Sequence, residues 1–317
     1  MADIVITEFM DEAAVGRLVR AHDTLYDPKL VDDPAALHDH LTSARALIVR
    51  NRTQVRETLL SMGPKLRVVG RLGVGLDNID VLACKARSIS VIPATGANDL
   101  SVAEYVITSA LMLLRSAFLR TADVVAGEWP RQSMMGRELA GKTIGLIGYG
   151  SIAREVAWRA HMMGMQIVAY DPYLMADHPG WQIARNVSLD AVLELSDVVS
   201  LHTPLTDATR NIINDEALSR MKPDAILINA ARGGHQKEAD IAAALQDGTL
   251  GAASLDVFEV EPLPQESPLW AIENCYITPH IAAISSEQSG VRYFTQVLTG
   301  HEAGKALPNV VDRARGY

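Results

Sequence analysis

The stretch TIGLIGYGSIAREVA (143–157) carries Gly148-x-Gly150-x-x-Ala153 where an apolar run hands over to an amphipathic one. Those residue types suit a pyrophosphate. The first glycine allows a tight turn, the second lets the anion approach the backbone, and a small third residue lets a helix pack on a sheet. The helix N-terminus then turns unpaired N–H groups toward the phosphates. A plain glycine turn would show the same three positions, so the surroundings decide. The next apolar run, IVAY (167–170), ends at Asp171, 21 residues past Gly150. A carboxylate at that distance bonds the hydroxyls of an adenosine ribose. It also repels a 2′-phosphate, and Pro172 and Tyr173 supply no arginine to offset it, which favours NAD over NADP.

Such a site needs a parallel sheet behind it. Short apolar runs at 3–7, 46–50, 67–71 and 90–92 alternate with amphipathic stretches at 11–22, 56–61 and 78–86, a pattern of parallel βαβ units. These units end in the turn-rich PATGAN (93–98). A long helix is predicted from Ser101 to about Thr121, with Ser101 and Glu104 at capping-box spacing. Its body is apolar nearly all round, which predicts burial between domains. The alternation resumes at Lys142, with strands at 143–147, 166–170, 198–202, 225–229, 251–256 and 275–278. Helices are predicted between them at 152–163, 189–195, 217–221 and 237–247, and a last one from about Ser286 to Leu298. The fold class is α/β with two doubly wound parallel-sheet domains, about what 317 residues accommodate.

Composition excludes several other classes. The chain is 48% apolar and 21% charged, an ordinary globular balance. A net charge of −9 argues against a nucleic-acid surface, which needs an excess of Lys and Arg. Cys84 and Cys275 read as buried thiols in a reducing compartment, and no Cys/His cluster has zinc-ligand spacing, so no metal is expected. The acidic start MADIVITEFMDEAA is no signal peptide. The longest apolar stretch, Tyr105–Leu114, is far short of the ~20 residues a membrane span needs. A soluble cytoplasmic protein without membrane or nucleic-acid partners is expected.

Nine segments in order along the chain resemble the D-isomer-specific 2-hydroxyacid dehydrogenases, the family of D-3-phosphoglycerate dehydrogenase. They are VRNRT (49–53), VVGRLGVGLDNID (68–80), SVAEYVI (101–107), GEWPR (127–131), GKTIGLIGYGSIA (141–153), LHTPLT (201–206), INAARGG (228–234), LDVFEVEP (255–262) and TPHIAA (278–283). The resemblance implies a catalytic set of Arg232, Glu261 and His280, and the chemistry agrees with those types. Oxidising a 2-hydroxy acid needs a base for the hydroxyl proton, and histidine titrates near operating pH. A paired carboxylate favours the imidazolium and fixes the ring. An arginine grips the substrate carboxylate with two parallel bonds. The resemblance further implies that Gly148, Gly150, Ser151 and Ile152 meet the pyrophosphate. It assigns the nicotinamide side to Thr203, Pro204, Ala230, Arg232, Asp256, His280 and Ala283. On the substrate side it points to Arg50, Asn51 and the Leu72–Leu76 loop. There the Gly73-Val74-Gly75 amides form a plausible carboxylate nest, although a simple strand-to-helix turn accounts for that loop as well. His202 closes a strand beside Thr203-Pro204 and supports that turn, whereas His22, His38 and His161 read as surface or packing residues. The implied domain map is discontinuous. A flavodoxin-like substrate domain of 1–98 and 286–317 receives a Rossmann NAD-binding domain of 99–285, and the family's dimers pair through the latter.

Three departures stand out. Ala153 replaces the usual third glycine, which the motif permits. Gly233-Gly234-His235-Gln236-Lys237-Glu238 stands where Gly-Gly-Val-Val-Asp-Glu is common, leaving the roles of His235 and Lys237 open. Ala282-Ala283 replaces a common Gly-Gly pair after the histidine. Arg50, Arg52 and Arg71 fall in substrate-side segments, which suits a second anionic group: phosphate, carboxylate or sulfonate. Structural ion pairs are the competing account of the same arginines. The segments ITEFMDEAAV (6–15), LYDPKLVDD (25–33) and VRNRTQV (49–55) resemble the sulfolactate dehydrogenase branch, which lacks a regulatory tail. Phosphoglycerate dehydrogenase and glyoxylate or hydroxypyruvate reductase remain as alternatives, as does a non-catalytic NAD-sensing corepressor of the same fold.

Overall fold

The computed structural model describes residues 2–283 and Val311; the helix expected from Ser286 lies outside the described residues. The described chain forms two compact units, residues 2–98 with Val311, and residues 99–283.

The first unit is a five-stranded sheet made of β1 (Ile4–Ile6), β2 (Thr24–Tyr26), β3 (Ala46–Val49), β4 (Val68–Arg71) and β5 (Ser90–Pro93). The order is β2-β1-β3-β4-β5 and every pairing is parallel, a flavodoxin-like arrangement. Strands β1, β3 and β4 are buried along their whole length, which is why they read as continuous apolar runs rather than alternating ones. Helices α1 (Glu12–Ala21), α2 (Pro34–Leu41), α3 (Glu57–Met62) and α4 (Val81–Ala86) connect them. Asp11, Asp33 and Asp80 cap α1, α2 and α4 by accepting a first-turn N–H. Neither β2 nor α2 is among the elements expected from the sequence. The edge strand β2 is only half-buried, and α2 buries just Leu37 and Leu41. Asp33 followed by Pro34 is the local signal for α2.

The second unit opens with α5 (Asp99–Arg115) and the short α6 (Thr121–Val125). The helix expected over 101–121 therefore starts two residues earlier, and Ser101 sits inside its first turn instead of capping it. It stops at Arg115 because Ser116 and Phe118 take positive φ values of 51° and 67°. Its apolar character is one-sided. Val102, Ala103, Val106, Ile107, Ala110, Leu113 and Leu114 are buried in the unit's core, while Glu104 and Thr108 are exposed. Then follow β6 (Thr143–Ile147), α7 (Ser151–Met162), β7 (Gln166–Tyr170), β8 (Arg185–Asn186), α8 (Leu189–Leu195), β9 (Val198–Leu201) and α9 (Asp215–Arg220). The unit continues with β10 (Ile226–Asn229), α10 (Glu238–Asp247), β11 (Ala252–Leu255) and β12 (Cys275–Ile277). The seven parallel strands run β12-β11-β10-β9-β6-β7-β8. The order reverses at β6, whose neighbours are β9 and β7. A doubly wound sheet binds its ligand beyond the carboxyl ends of the strands at such a reversal. The Gly148–Gly150 turn after β6 and the His202–Pro204 turn after β9 meet there.

Candidate active site

Gly148 has φ 88°, and a Cβ on it would lie 2.9 Å from the His202 backbone and from Thr203. That glycine lets the two turns touch. Gly150 starts α7 with no side-chain cap, and a Cβ there would meet nothing within 4 Å. The first-turn amides of α7 thus face open space that a diphosphate backbone can enter, and the cradle fits NAD. Ser151 and Ile152, both half-buried, form that first turn. Asp99 hydrogen-bonds Ser151 from the start of α5, yet burial raises its carboxyl above the ordinary range. Asp171, half-buried after β7, accepts from Tyr149 N and Tyr173 N at 2.9 Å, one on each oxygen. Those bonds fix the carboxylate and leave lone pairs for ribose hydroxyls.

Beyond β9, burial pushes His202 down to about 4, and its Nε2 lies 2.9 Å from Ser200 Oγ. That bond ties the turn back to β9. Thr203 lies half-buried with its hydroxyl 3.1 Å from His235 Nε2; Pro204 is exposed. Ala230 and Arg232 follow β10. A Cβ on Gly233 would fall 1.9 Å from the Phe258 carbonyl carbon, so only glycine lets the Arg232 turn pack against the segment leading to Glu261.

His280 and Glu261 meet directly. His280 Nδ1 is 2.8 Å from Glu261 Oε2, and each side chain is 36% exposed. Burial raises the Glu261 carboxyl, but bonds from His280 and the Phe258 amide, with the charges of His280 and Arg232, outweigh it and hold it below the usual range. With Nδ1 donating to the carboxylate, Nε2 is the nitrogen left for a ligand. His280 has φ 56°, rare for a non-glycine residue. Asp256 sustains it. This completely buried carboxylate accepts from Thr278 Oγ1 (2.6 Å), Ile281 N (2.8 Å) and Ala282 N (2.9 Å), and its backbone carbonyl accepts from His280 N. Three of its roughly four acceptor positions therefore hold the histidine loop. Tyr105 on α5 braces the same loop, its hydroxyl 2.6 Å from Thr278 Oγ1. Ala283, at the end of the described stretch, is exposed.

In the first unit the predicted cluster of three arginines separates. Arg52 pairs with Asp32. Arg71 is buried, with Nη1 on the Leu72 carbonyl and so close to Gly73 that no Cβ would fit there. Arg50 is half-buried, and among the described residues its guanidinium has neither a hydrogen bond nor an ion pair. Asn51 is exposed beside it. In the glycine loop, Gly73 N donates to Arg71 O, while Val74 and Gly75 amides take no acceptor among the described residues. Lys237 is an exposed partner of Asp240 at 3.1 Å.

Two contributors lie beyond the sequence reading, Tyr105 and Glu8. The Glu8 carboxylate is almost fully buried and accepts four successive amides, Arg50 and Thr53 on Oε1, Asn51 and Arg52 on Oε2, at 2.9–3.1 Å. Burial works to raise it, and these bonds with the Thr53 hydroxyl bring it below the ordinary range. Its only sequence signal is a carboxylate directly after a buried strand. Removing it with Glu8→Ala strands four amides, and an unfolding free-energy loss on the order of 3 kcal/mol is expected in urea titration. A loss near zero would show that the 50–53 turn holds itself.

Residues 107–282 match the model of the D-isomer specific 2-hydroxyacid dehydrogenase family, NAD binding domain. An (S)-sulfolactate dehydrogenase of Chromohalobacter salexigens is 53% identical over 91% of this chain and 94% of its own length. A D-3-phosphoglycerate dehydrogenase of Methanocaldococcus jannaschii is 38% identical over 90% of this chain, which spans 54% of that relative. The crystal structure of the TT0316 protein from Thermus thermophilus superposes with a TM-score of 0.84 at 31% identity, covering 98% and 99% of the two chains. A Rossmann sheet with an arginine turn and a carboxylate-held histidine defines an NAD-dependent oxidoreductase. The chain belongs to the D-isomer-specific 2-hydroxyacid dehydrogenase family, and it is an NAD-dependent 2-hydroxyacid dehydrogenase. Among the described residues no helix is long and apolar enough to cross a membrane, and no cluster suits a metal.

Proposed function

We propose that the protein interconverts (S)-sulfolactate and sulfopyruvate, with residues 2–98 as the substrate domain and residues 99–283 as the cofactor domain, which also supplies Arg232 and His280 to the reaction. Arg232 clamps the substrate carboxylate and orients the carbinol carbon. His280 Nε2 takes the hydroxyl proton in oxidation and returns it in reduction, while Glu261 stabilises the imidazolium formed between. Gly148–Ile152 and Asp171 would hold NAD, which would supply the acceptor for the hydride that leaves the carbinol carbon. Thr203, Pro204, Ala230, Asp256 and Ala283 would border its nicotinamide end. Asp256 acts first by holding the loop that carries His280.

The 53% identity to the sulfolactate enzyme is the observation that carries the substrate. Arg50 supports it: of the three substrate-side arginines it is the one whose guanidinium remains for a sulfonate, with Asn51 and the Val74 and Gly75 amides as further donors. The two stereochemical labels also agree. A sulfomethyl group outranks a carboxylate in the priority rules, so an S centre here has the spatial arrangement of a D-2-hydroxy acid. Arg50→Gln is expected to lower kcat/KM for sulfopyruvate by about 100-fold, the worth of a charged hydrogen bond of ~3 kcal/mol, and for glyoxylate by less than about threefold. Equal losses on both would remove Arg50 from sulfonate recognition.

A homodimer through the second unit is the assembly we favour. Phe118, Val125, Trp129 and Met135 are exposed within residues 118–135, and Phe118 lines a pocket of about 400 Å³ together with Leu111 and Met112. A sedimenting species of the 34.3 kDa monomer mass would contradict it. The two free cysteines, Cys84 and Cys275, suit a reducing cytoplasm.

A further inference from the structure

His235 and Gln236 occupy the two positions where this chain replaces the common valines. Both side chains are completely buried. His235 ends the 3-10 turn Gly233–His235, with Nδ1 3.1 Å from the Arg232 carbonyl and Nε2 3.1 Å from Thr203 Oγ1. The Arg232 carbonyl also accepts from Asn229 Nδ2 (2.9 Å) and from His235 N (3.2 Å). Gln236 Oε1 accepts from Asn229 Nδ2 at 2.8 Å, and its Nε2 donates to Val257 O at 3.2 Å. The arginine turn is thereby tied to the turn after β9 on one side and to the chain leading to Glu261 on the other.

We infer that His235 is a positioning residue that sets the Arg232 turn and the Thr203 hydroxyl together, as the tautomer protonated on Nδ1. A carbonyl only accepts, so Nδ1 must carry the proton that faces Arg232. In the neutral ring Nε2 is then an acceptor, and Thr203 donates its one hydroxyl proton to it. The Thr203 oxygen is left with lone pairs alone and serves the cofactor as an acceptor, toward a donor such as an amide N–H. Arg232 has a long flexible side chain, so the fork it presents is only as well aimed as its backbone. A shift of about 1 Å in such a clamp costs on the order of 10²-fold in rate.

The inference rests on Arg232 serving the substrate and Thr203 the cofactor, and asparagine and glutamine separate the two ends. Asparagine at 235 keeps an N–H in place of Nδ1 but offers Thr203 nothing; glutamine keeps an acceptor in place of Nε2 but loses the Arg232 bond. Each bond is worth about 1 kcal/mol, or five- to tenfold. His235→Asn is therefore expected to weaken NADH binding, read by fluorescence titration without any 2-oxo acid, about five- to tenfold, with KM for the 2-oxo acid within about twofold. His235→Gln is expected to do the reverse, and His235→Val, which makes neither bond, to do both, with a far-ultraviolet circular dichroism spectrum like that of the wild type to show that it folds. Nitrogen-15 spectra of the unliganded wild-type protein should find the His235 ring protonated on Nδ1. A ring protonated on Nε2, or Asn and Gln variants that raise both constants alike, would overturn the inference. Because the spectrum and the titration use no 2-oxo acid, failure of the substrate assignment leaves those two results standing.

Discussion

His280→Asn is expected to lower kcat by about 10²- to 10⁴-fold in both directions, with NADH affinity within about twofold of wild type. Asparagine is chosen on structural grounds. Its Nδ2–H can keep the bond that His280 Nδ1 makes to Glu261, so the carboxylate is not stranded. It also tolerates the left-handed φ of 56° better than most non-glycine residues. What asparagine lacks is Nε2, the nitrogen proposed to take the hydroxyl proton. Stopped-flow oxidation of NADH with saturating 2-oxo acid separates the lost chemical step from binding. A kcat within about tenfold of wild type would remove His280 from the proton transfer.

The pair also carries a pH signature. The Glu261 carboxyl is held below its ordinary value of 4.5 in the folded protein. Its contribution to stability is therefore complete above about pH 4.5 and fades as the pH falls through the lower folded value. Glu261→Gln should flatten that acid limb of the stability curve.

Arg232→Lys is the second large effect, an expected fall of about 10²- to 10³-fold in kcat/KM, expressed in both kcat and KM for the 2-oxo acid. Lysine keeps the charge but not the planar fork, so the carboxylate loses its second bond and its orientation. The turn itself should stand, because Asn229 and His235 hold the Arg232 backbone rather than its side chain. Arg52→Lys is the contrast: Arg52 is spent on an exposed pair with Asp32, and such a change is worth at most ~1 kcal/mol. Equal kinetics for both lysine variants would contradict the roles given to these arginines.

The features legible in the sequence are the local ones. The Gly148–Ala153 turn and Asp171 are set by neighbouring residues and by the fixed length of one βαβ unit, and they fall where spacing predicts. The strands of both sheets read as apolar runs because they are buried on both faces. What stays hidden joins distant positions. Glu8 reaches amides more than 40 residues away, Tyr105 braces Thr278 across 173 residues, and His235 meets Thr203 across 32. No periodicity reports such pairs. Residue type alone also misleads: Arg50, Arg52 and Arg71 look equivalent in the chain, yet an acidic neighbour and burial commit two of them. The end of α5 is illegible for a similar reason, since positive φ at Ser116 and Phe118 has no marker in residue type.

The initial rate of NADH oxidation by the wild-type enzyme tests the sulfonate assignment most directly. The substrates to compare are sulfopyruvate, 3-phosphohydroxypyruvate, hydroxypyruvate, oxaloacetate, glyoxylate and pyruvate, repeated with NADPH. The highest kcat/KM is expected with sulfopyruvate, from the role proposed for Arg50, and a clear preference for NADH, from a carboxylate at Asp171 that would repel a 2′-phosphate. A higher kcat/KM with 3-phosphohydroxypyruvate, or faster turnover with NADPH, would contradict those expectations.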